Sequence, residues 1–154
     1  KECAFEMIVD GIEYVIRPLA EEKGLKFVVR RDYDRKKRLI CDAGRIQQIA
    51  INLLLNAVRF TDEGKVLFRV TAVEKEEKLF VKFEVEDTGC GIGSDFIPRM
   101  FDEFAQEKRN PNKYGKGSGL GLTVVKRLIE MLGGEITVDS EVNWGTAFTV
   151  KFTL

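Results

Sequence analysis

Ile46-Gln-Gln-Ile-Ala-Ile-Asn-Leu-Leu-Leu-Asn-Ala-Val-Arg-Phe60 is the stretch on which the fold turns. Its apolar residues run almost all the way round a helix, as they would in an element laid flat on a sheet. Asn52 and Asn56 nevertheless stand four residues apart on one face of it. An amide taken out of water without a partner costs roughly 1–3 kcal/mol, so the pair predicts something polar on that face. Asp42, just ahead of the run, is placed to cap the helix.

Working outward, the apolar residues from about Ala4 to Lys23 recur at helical spacing, and Gly24 is placed to stop that helix. Lys26 to Arg30 and Leu39 to Cys41 read as short strands. Lys65 to Val73 and Leu79 to Glu86 form a hairpin around the polar stretch from Glu74 to Lys78. Gly119 to Leu132 is amphipathic and ends at Gly133-Gly134, and two strands, Glu135 to Asp139 and Thr146 to Phe152, close the chain. Helices interleaved with hairpins predict an α/β (α+β) two-layer sandwich. Its sheet is mixed but mostly antiparallel, with about five strands, and about three helices cover one face.

The 154 residues, 44% hydrophobic and 32% charged, suit a single domain over 1–154 with a core of its own. Its 25 basic and 25 acidic residues cancel, so no global field draws nucleic acid, and any anion must be held locally. There are no histidines, which excludes histidine acid–base catalysis, histidine metal ligands and a histidine phosphoacceptor within the chain. Cys3, Cys41 and Cys90 lack the close spacing of a zinc site and read as reduced thiols. No run of about 18 apolar residues occurs, so this domain is not expected to span a membrane itself. The expected location is cytoplasmic, whether or not a longer parent is anchored in a membrane.

Strand alternation puts Val81, Phe83 and Val85 on the core face and carries Asp87 with them. Phe148, Val150 and Phe152 likewise carry Thr146. A carboxylate suited to an exocyclic amine thus stands beside a hydroxyl suited to a water or ring nitrogen, the pattern of an adenine pocket. Asp87-Thr-Gly-Cys-Gly-Ile92 lets a flat ring approach the main chain. Gly115-Lys-Gly-Ser-Gly-Leu-Gly-Leu122 opens a helix, where free N–H groups and the macrodipole receive phosphate. The stretch from Gln106 to Lys116, rich in Lys and Arg, reads as a basic lid. Taken singly, each feature has a plainer reading: a helix-to-strand bridge for either asparagine, a turn cap for Asp87, core packing for Phe101 and Phe104, a small filler for Cys90.

In order along the chain, Asn52-Leu-Leu-Leu-Asn-Ala-Val-Arg-Phe-Thr61, Asp87-Thr-Gly-Cys-Gly-Ile92, Phe101-Asp-Glu-Phe104, Gly115-Lys-Gly-Ser-Gly-Leu-Gly-Leu122 and Gly145-Thr-Ala-Phe148 resemble the N, G1, F, G2 and G3 boxes of the catalytic ATP-binding domain of two-component sensor histidine kinases. The resemblance covers essentially the whole chain. It implies the Bergerat ATP-binding fold, shared with Hsp90, MutL and gyrase B, holding ATP and Mg²⁺ under a lid. Carried over residue by residue, it makes Asn56 the metal ligand, with Asn52 supporting the metal and Arg59 completing the catalytic set. Asp87 and Thr146 would read the base, and Phe60, Gly89, Gly91 and Ile92 would line it. Gly117, Ser118, Gly119, Leu120 and Gly121 would cradle the phosphates, Tyr114, Gly115, Lys116 and Leu122 would belong to the same ATP-binding set, and Phe101 and Phe104 would anchor the lid. Arg59 stands where lysine is usual, Lys116 where a second glycine is common and Ser118 where threonine is commoner. None of these removes an expected ligand.

The resemblance also implies transfer of the γ-phosphoryl group to a histidine on a separate dimerisation domain, expected upstream, and a downstream response regulator. Asn52, where the ATPase relatives place a glutamate, argues against hydrolysis. An anti-sigma serine kinase of the same fold, or a nucleotide-binding regulatory module, are the alternatives.

Overall fold

The computed structural model describes residues 2–102 and 120–154. In chain order the elements are β1 (Glu2–Ala4), α1 (Phe5–Glu22), β2 (Lys26–Asp32), β3 (Arg38–Ile40), α2 (Ala43–Phe60), β4 (Lys65–Lys75), β5 (Lys78–Asp87), a 3₁₀ turn (Ile97–Arg99), α3 (Leu120–Met131), β6 (Glu135–Glu141) and β7 (Gly145–Thr153). A five-stranded sheet runs β2-β4-β5-β7-β6, with β2 and β4 parallel and the remaining pairs antiparallel. The helices cover one face, with α2 packed against both α1 and α3. This is the two-layer sandwich expected from the sequence. Beyond it, β1 and β3 pair as a separate two-stranded ribbon that the periodicity did not reveal.

Each helix forms for a local reason. In α1, Phe5, Ile8, Val9, Ile12, Ile16 and Ala20 are buried at helical spacing. Gly24, at φ 74°, ends the helix, its N–H donating to Glu21 O while Leu25 N–H reaches back to Ala20 O, both at 2.9 Å. Asp42 caps α2, its Oδ1 accepting from Arg45 N–H at 3.2 Å. Gly11 lets the first two helices approach closely: a Cβ there would lie 2.4 Å from Gln47 Nε2, the amide that donates to Ile8 O at 3.2 Å.

One expectation is corrected here. The asparagine helix is buried along one broad face rather than all round, through Ile46, Ile49, Ala50, Leu53, Leu54, Ala57 and Val58. Ile51, Asn52, Leu55 and Asn56 are half-buried, and Gln48 and Arg59 are exposed. Asn52 and Asn56 sit on the shoulder of that face, so water meets part of the cost that full burial would have imposed. On the sheet side, Phe83 makes edge-to-face contacts with Phe68 at 5.5 Å and Phe152 at 5.4 Å, joining β4, β5 and β7 beneath α2.

Candidate functional site

A narrow cleft of about 20 Å³ opens where β5 and β7 end under the last turns of α2. Asn56, Ala57 and Phe60 line it from α2, Asp87 from β5, and Thr146 and Phe148 from β7. Leu122 of α3 and Ile92, Phe96 and Met100 from the segment between close it. Apolar walls with few polar groups are what a small-molecule site presents.

Asp87 is the polar centre of this cleft. It lies opposite Val66 on one side and Thr146 on the other in the sheet register, so alternation aims its side chain at the helix layer. Oδ1 accepts the Gly89 N–H at 2.8 Å, and the Thr146 backbone supplies a second hydrogen bond. Burial pushes the carboxyl up to about 6, and these two hydrogen bonds pull the other way without cancelling it. Gly145, at φ 134°, packs on the carboxylate's own backbone: a Cβ there would lie 2.0 Å from Asp87 O. Gly91, at φ 73°, is equally committed, since its Cβ would lie 2.1 Å from Glu141 O.

The loop after Asp87 is tied on both sides. Cys90 N–H donates to Phe60 O at 3.3 Å, and Asn143 N–H donates to Cys90 O at 2.8 Å. Ile92 N–H donates to Ser140 Oγ at 2.8 Å, and Ser140 in turn meets Thr146 Oγ1 at 2.8 Å. The Thr146 hydroxyl is therefore part of a small network joining β6, β7 and the loop. Thr61, just past α2, is fully buried, and its Oγ1 makes no hydrogen bond among the described residues. A Cβ on Gly89 would be 2.9 Å from that oxygen and 2.9 Å from Asp87 Oδ1, so the orphan hydroxyl borders the carboxylate.

Of the residues expected at the site, Asn56, Phe60, Asp87, Ile92, Leu122 and Thr146 line the cleft together. Gly89 binds the Asp87 carboxylate through its N–H and Gly91 packs on the Glu141 backbone, beside the cleft rather than in its lining. Asn52 lies one turn before Asn56, and neither amide makes a hydrogen bond among the described residues. Arg59 is exposed in the last turn of α2. Leu120 and Gly121 begin α3. The expected roles of Phe104, Tyr114, Gly115, Lys116, Gly117, Ser118 and Gly119, with the lid from Gln106 to Lys116, fall outside the described residues. Phe101 sets its ring 6.5 Å from that of Phe148, and its carbonyl accepts from Thr123 Oγ1 at 2.9 Å, fixing the start of α3.

Sequence reasoning missed Thr61, Phe96, Met100 and Ser140. Extending the alternation of Ile136 and Val138 by one step would have placed Ser140 on the core face. Phe96 and Met100 flank a single 3₁₀ turn, too short for periodicity to register.

Fold and cleft together define a helix-on-sheet module with a largely apolar cleft, holding one carboxylate, at the strand ends. The particular family follows: residues 41–154 match the histidine kinase-, DNA gyrase B- and HSP90-like ATPases, and the chain belongs to that family. Curated relatives include the autoinducer 2 sensor kinase/phosphatase LuxQ of Vibrio parahaemolyticus, 38% identical over 90% of this chain, and the sensor histidine kinase GacS of Pseudomonas protegens, 35% identical over 91%. The chain spans only 16% and 15% of those two proteins. Among solved structures, full-length ShkA in complex with AMPPNP is 30% identical and superposes with a TM-score of 0.80, over 99% of this chain and 30% of that one. The mycobacterial sensor histidine kinase MprB, 21% identical with a TM-score of 0.75, shares the fold over 99% of this chain and 96% of its own.

Proposed function

We propose that this chain is the catalytic module of a two-component sensor kinase, taking Mg-ATP and passing its γ-phosphoryl group to a histidine on a separate dimerisation domain. The observation that carries the reading is Asp87, a half-buried carboxylate in a largely apolar cleft that it shares with Asn56 and Thr146. An ionised carboxylate only accepts hydrogen bonds, so its partner on a flat ring is an amine such as that of adenine. The AMPPNP complex of the relative ShkA supports the same choice of ligand.

The residues present fit a magnesium ion carried in with the phosphates. Mg²⁺ takes oxygen donors and keeps several waters, so it needs few protein ligands. Asn56, and Asn52 one turn behind, offer half-buried amide oxygens with no hydrogen bond among the described residues, and no cluster of three acidic or cysteine side chains there competes for the ion. When bound, the metal neutralises charge that builds on the phosphates as the γ-phosphoryl group leaves.

The chain's own contribution is positioning. Asp87 and Thr146 fix the base, Phe60, Ile92 and Phe96 exclude water around it, and Asn56 faces the phosphates from α2. The start of α3 at Leu120 offers N–H groups to the phosphates, and Arg59 adds a positive charge. Asn52 cannot act as a general base, and the chain has no histidine, so neither hydrolysis nor self-phosphorylation on histidine follows from these residues. The partners in this reading are the acceptor domain of the same polypeptide and a response regulator, with no role for nucleic acid. Its place is the cytoplasm. No helix among the described residues is long and apolar enough to cross a membrane.

Radiolabelled ATP tests this directly. With the parent's dimerisation domain added, acid-labile label should accumulate on that domain and not on this chain. Label on this chain, or rapid ATP hydrolysis without the acceptor, would contradict the proposal.

A further inference from the structure

Outside the nucleotide cleft, two thiols meet at the opposite end of α2. Cys3 of β1 and Cys41, just past β3, bring their sulfurs to 3.5 Å although 38 residues separate them. The ribbon register explains the meeting: Cys3 pairs with Leu39, so Cys41, two residues on, returns to the same side of β3. Both are free thiols, half-buried, and both line a surface cleft with Glu2, Ile40, Asp42 and Ala43. The pair is therefore prearranged and open to a small molecule.

We propose that Cys3 and Cys41 are a redox-active dithiol that closes reversibly to a disulfide and pins β1 to the head of α2. A disulfide bond is about 2 Å long. The sulfurs already touch, so closure asks for side-chain rotation more than for movement of the strands. Asp42, the residue after Cys41, caps α2 and pairs with Arg45 at 3.2 Å, so the new bond would reach the helix that carries Asn52 and Asn56 through one residue.

The chemistry is thiol–disulfide exchange with a low-molecular-weight disulfide as oxidant. Burial and the neighbouring Cys3 push the Cys41 thiol up to about 12, so Cys41 stays protonated and can donate its S–H toward the Cys3 sulfur. Cys3 gives its S–H proton to solvent and attacks one sulfur of the oxidant, forming a mixed disulfide and releasing one small thiolate. With Cys3 capped, the Cys41 proton passes to solvent. Cys41 then attacks the Cys3 sulfur and releases the second small thiolate. The protein gives up two protons and two electrons, and the oxidant ends as two small thiols.

The test uses the whole chain with bis(2-hydroxyethyl) disulfide, an uncharged oxidant, followed by intact mass and peptide mapping. The expected product has lost two hydrogens, joins the Cys3 and Cys41 peptides, leaves Cys90 open to alkylation and returns to the dithiol with excess reductant. Cys3→Ser and Cys41→Ser, confirmed folded by circular dichroism, should each stop at a stable hydroxyethylthio adduct on the remaining partner. Hydrogen exchange at the β1 and β3 amides should slow in the oxidised wild type and not in either variant. Adducts on the wild type with no loss of two hydrogens, or a bond that involves Cys90, would overturn the proposal.

Discussion

At the scale of single residues, Asp87 is the most informative group. Its carboxyl rises from 3.8 to about 6 because burial disfavours the charged form. A folded-state value above the unfolded one means the folded chain binds the extra proton. Its contribution to stability is therefore full below about pH 4 and is lost as pH rises through about 6. The unliganded chain should lose stability across that window, and Asp87→Asn should flatten the slope in urea titrations taken from pH 4 to pH 7. ATP acts in the opposite sense. An adenine amine needs the ionised carboxylate, so affinity should fall as pH drops below about 6 in the wild type. Thr61 gives a second residue-level prediction. Its buried hydroxyl has no partner among the described residues, and leaving such a group unsatisfied costs about 1–3 kcal/mol. Thr61→Val, which keeps the shape, should raise the melting temperature of the unliganded chain by about 2–4 °C for each kcal/mol recovered, about 2–12 °C in all. An unchanged or lower value would mean that the hydroxyl is already satisfied.

At the scale of elements, α1 and β2 are joined by charge as well as by packing. Arg31 on β2 reaches three acids along one face of α1: Glu6, Asp10 at 2.6 Å and Glu13 at 2.7 Å. Tyr33 and Arg35 also bond Glu6, at 2.5 and 2.9 Å. Burial raises the Glu6 and Glu13 carboxyls, but bonds from Tyr33 and Arg31 to Glu6, and from Arg31 and Arg17 to Glu13, outweigh it and hold both below the ordinary value. That stabilisation is complete above about pH 4.5 and is lost as pH falls through the lowered values. Arg31→Ala leaves the acids facing one another and should cost about 2–3 kcal/mol at pH 7, with the deficit shrinking in acid. A loss that does not vary with pH would point to packing alone. None of this network was legible in the sequence, because it depends on which helix face meets which strand edge. What was legible followed from periodicity: the helix stop at Gly24, the cap at Asp42, and the core-face positions of Asp87 and Thr146. The ribbon of β1 and β3 was half legible: Leu39 to Cys41 read as a strand, one residue past Arg38–Ile40, whereas Glu2–Ala4 is too short to show alternation. The hairpin turn is tighter than its polar stretch suggested, with Glu76 and Glu77 both left-handed at φ 54° and 67° and no glycine or asparagine to mark it.

At the scale of the whole molecule, the described parts of motifs spread over the sequence converge because the sheet order brings β5 and β7 together under α2. Asn56, Asp87 and Thr146 are distant in the chain and neighbours in the cleft. The motif order made this convergence legible. The depth of burial was not, because Asn52 and Asn56 lie on the half-exposed shoulder of a helix whose composition suggested burial all round. The residues closing the cleft, Phe96 and Met100, were hidden for a different reason, since only tertiary packing identifies them. The central claim is that this cleft takes Mg-ATP through Asp87 and Asn56. Calorimetric titration of Mg-ATP at pH 7.5 into the wild type, Asp87→Asn and Asn56→Asp tests it most directly. The account predicts saturable binding by the wild type and at least about tenfold weaker binding, roughly 1.4 kcal/mol, by each variant. Equal affinities across the three proteins, or negligible heats in all of them, would contradict it.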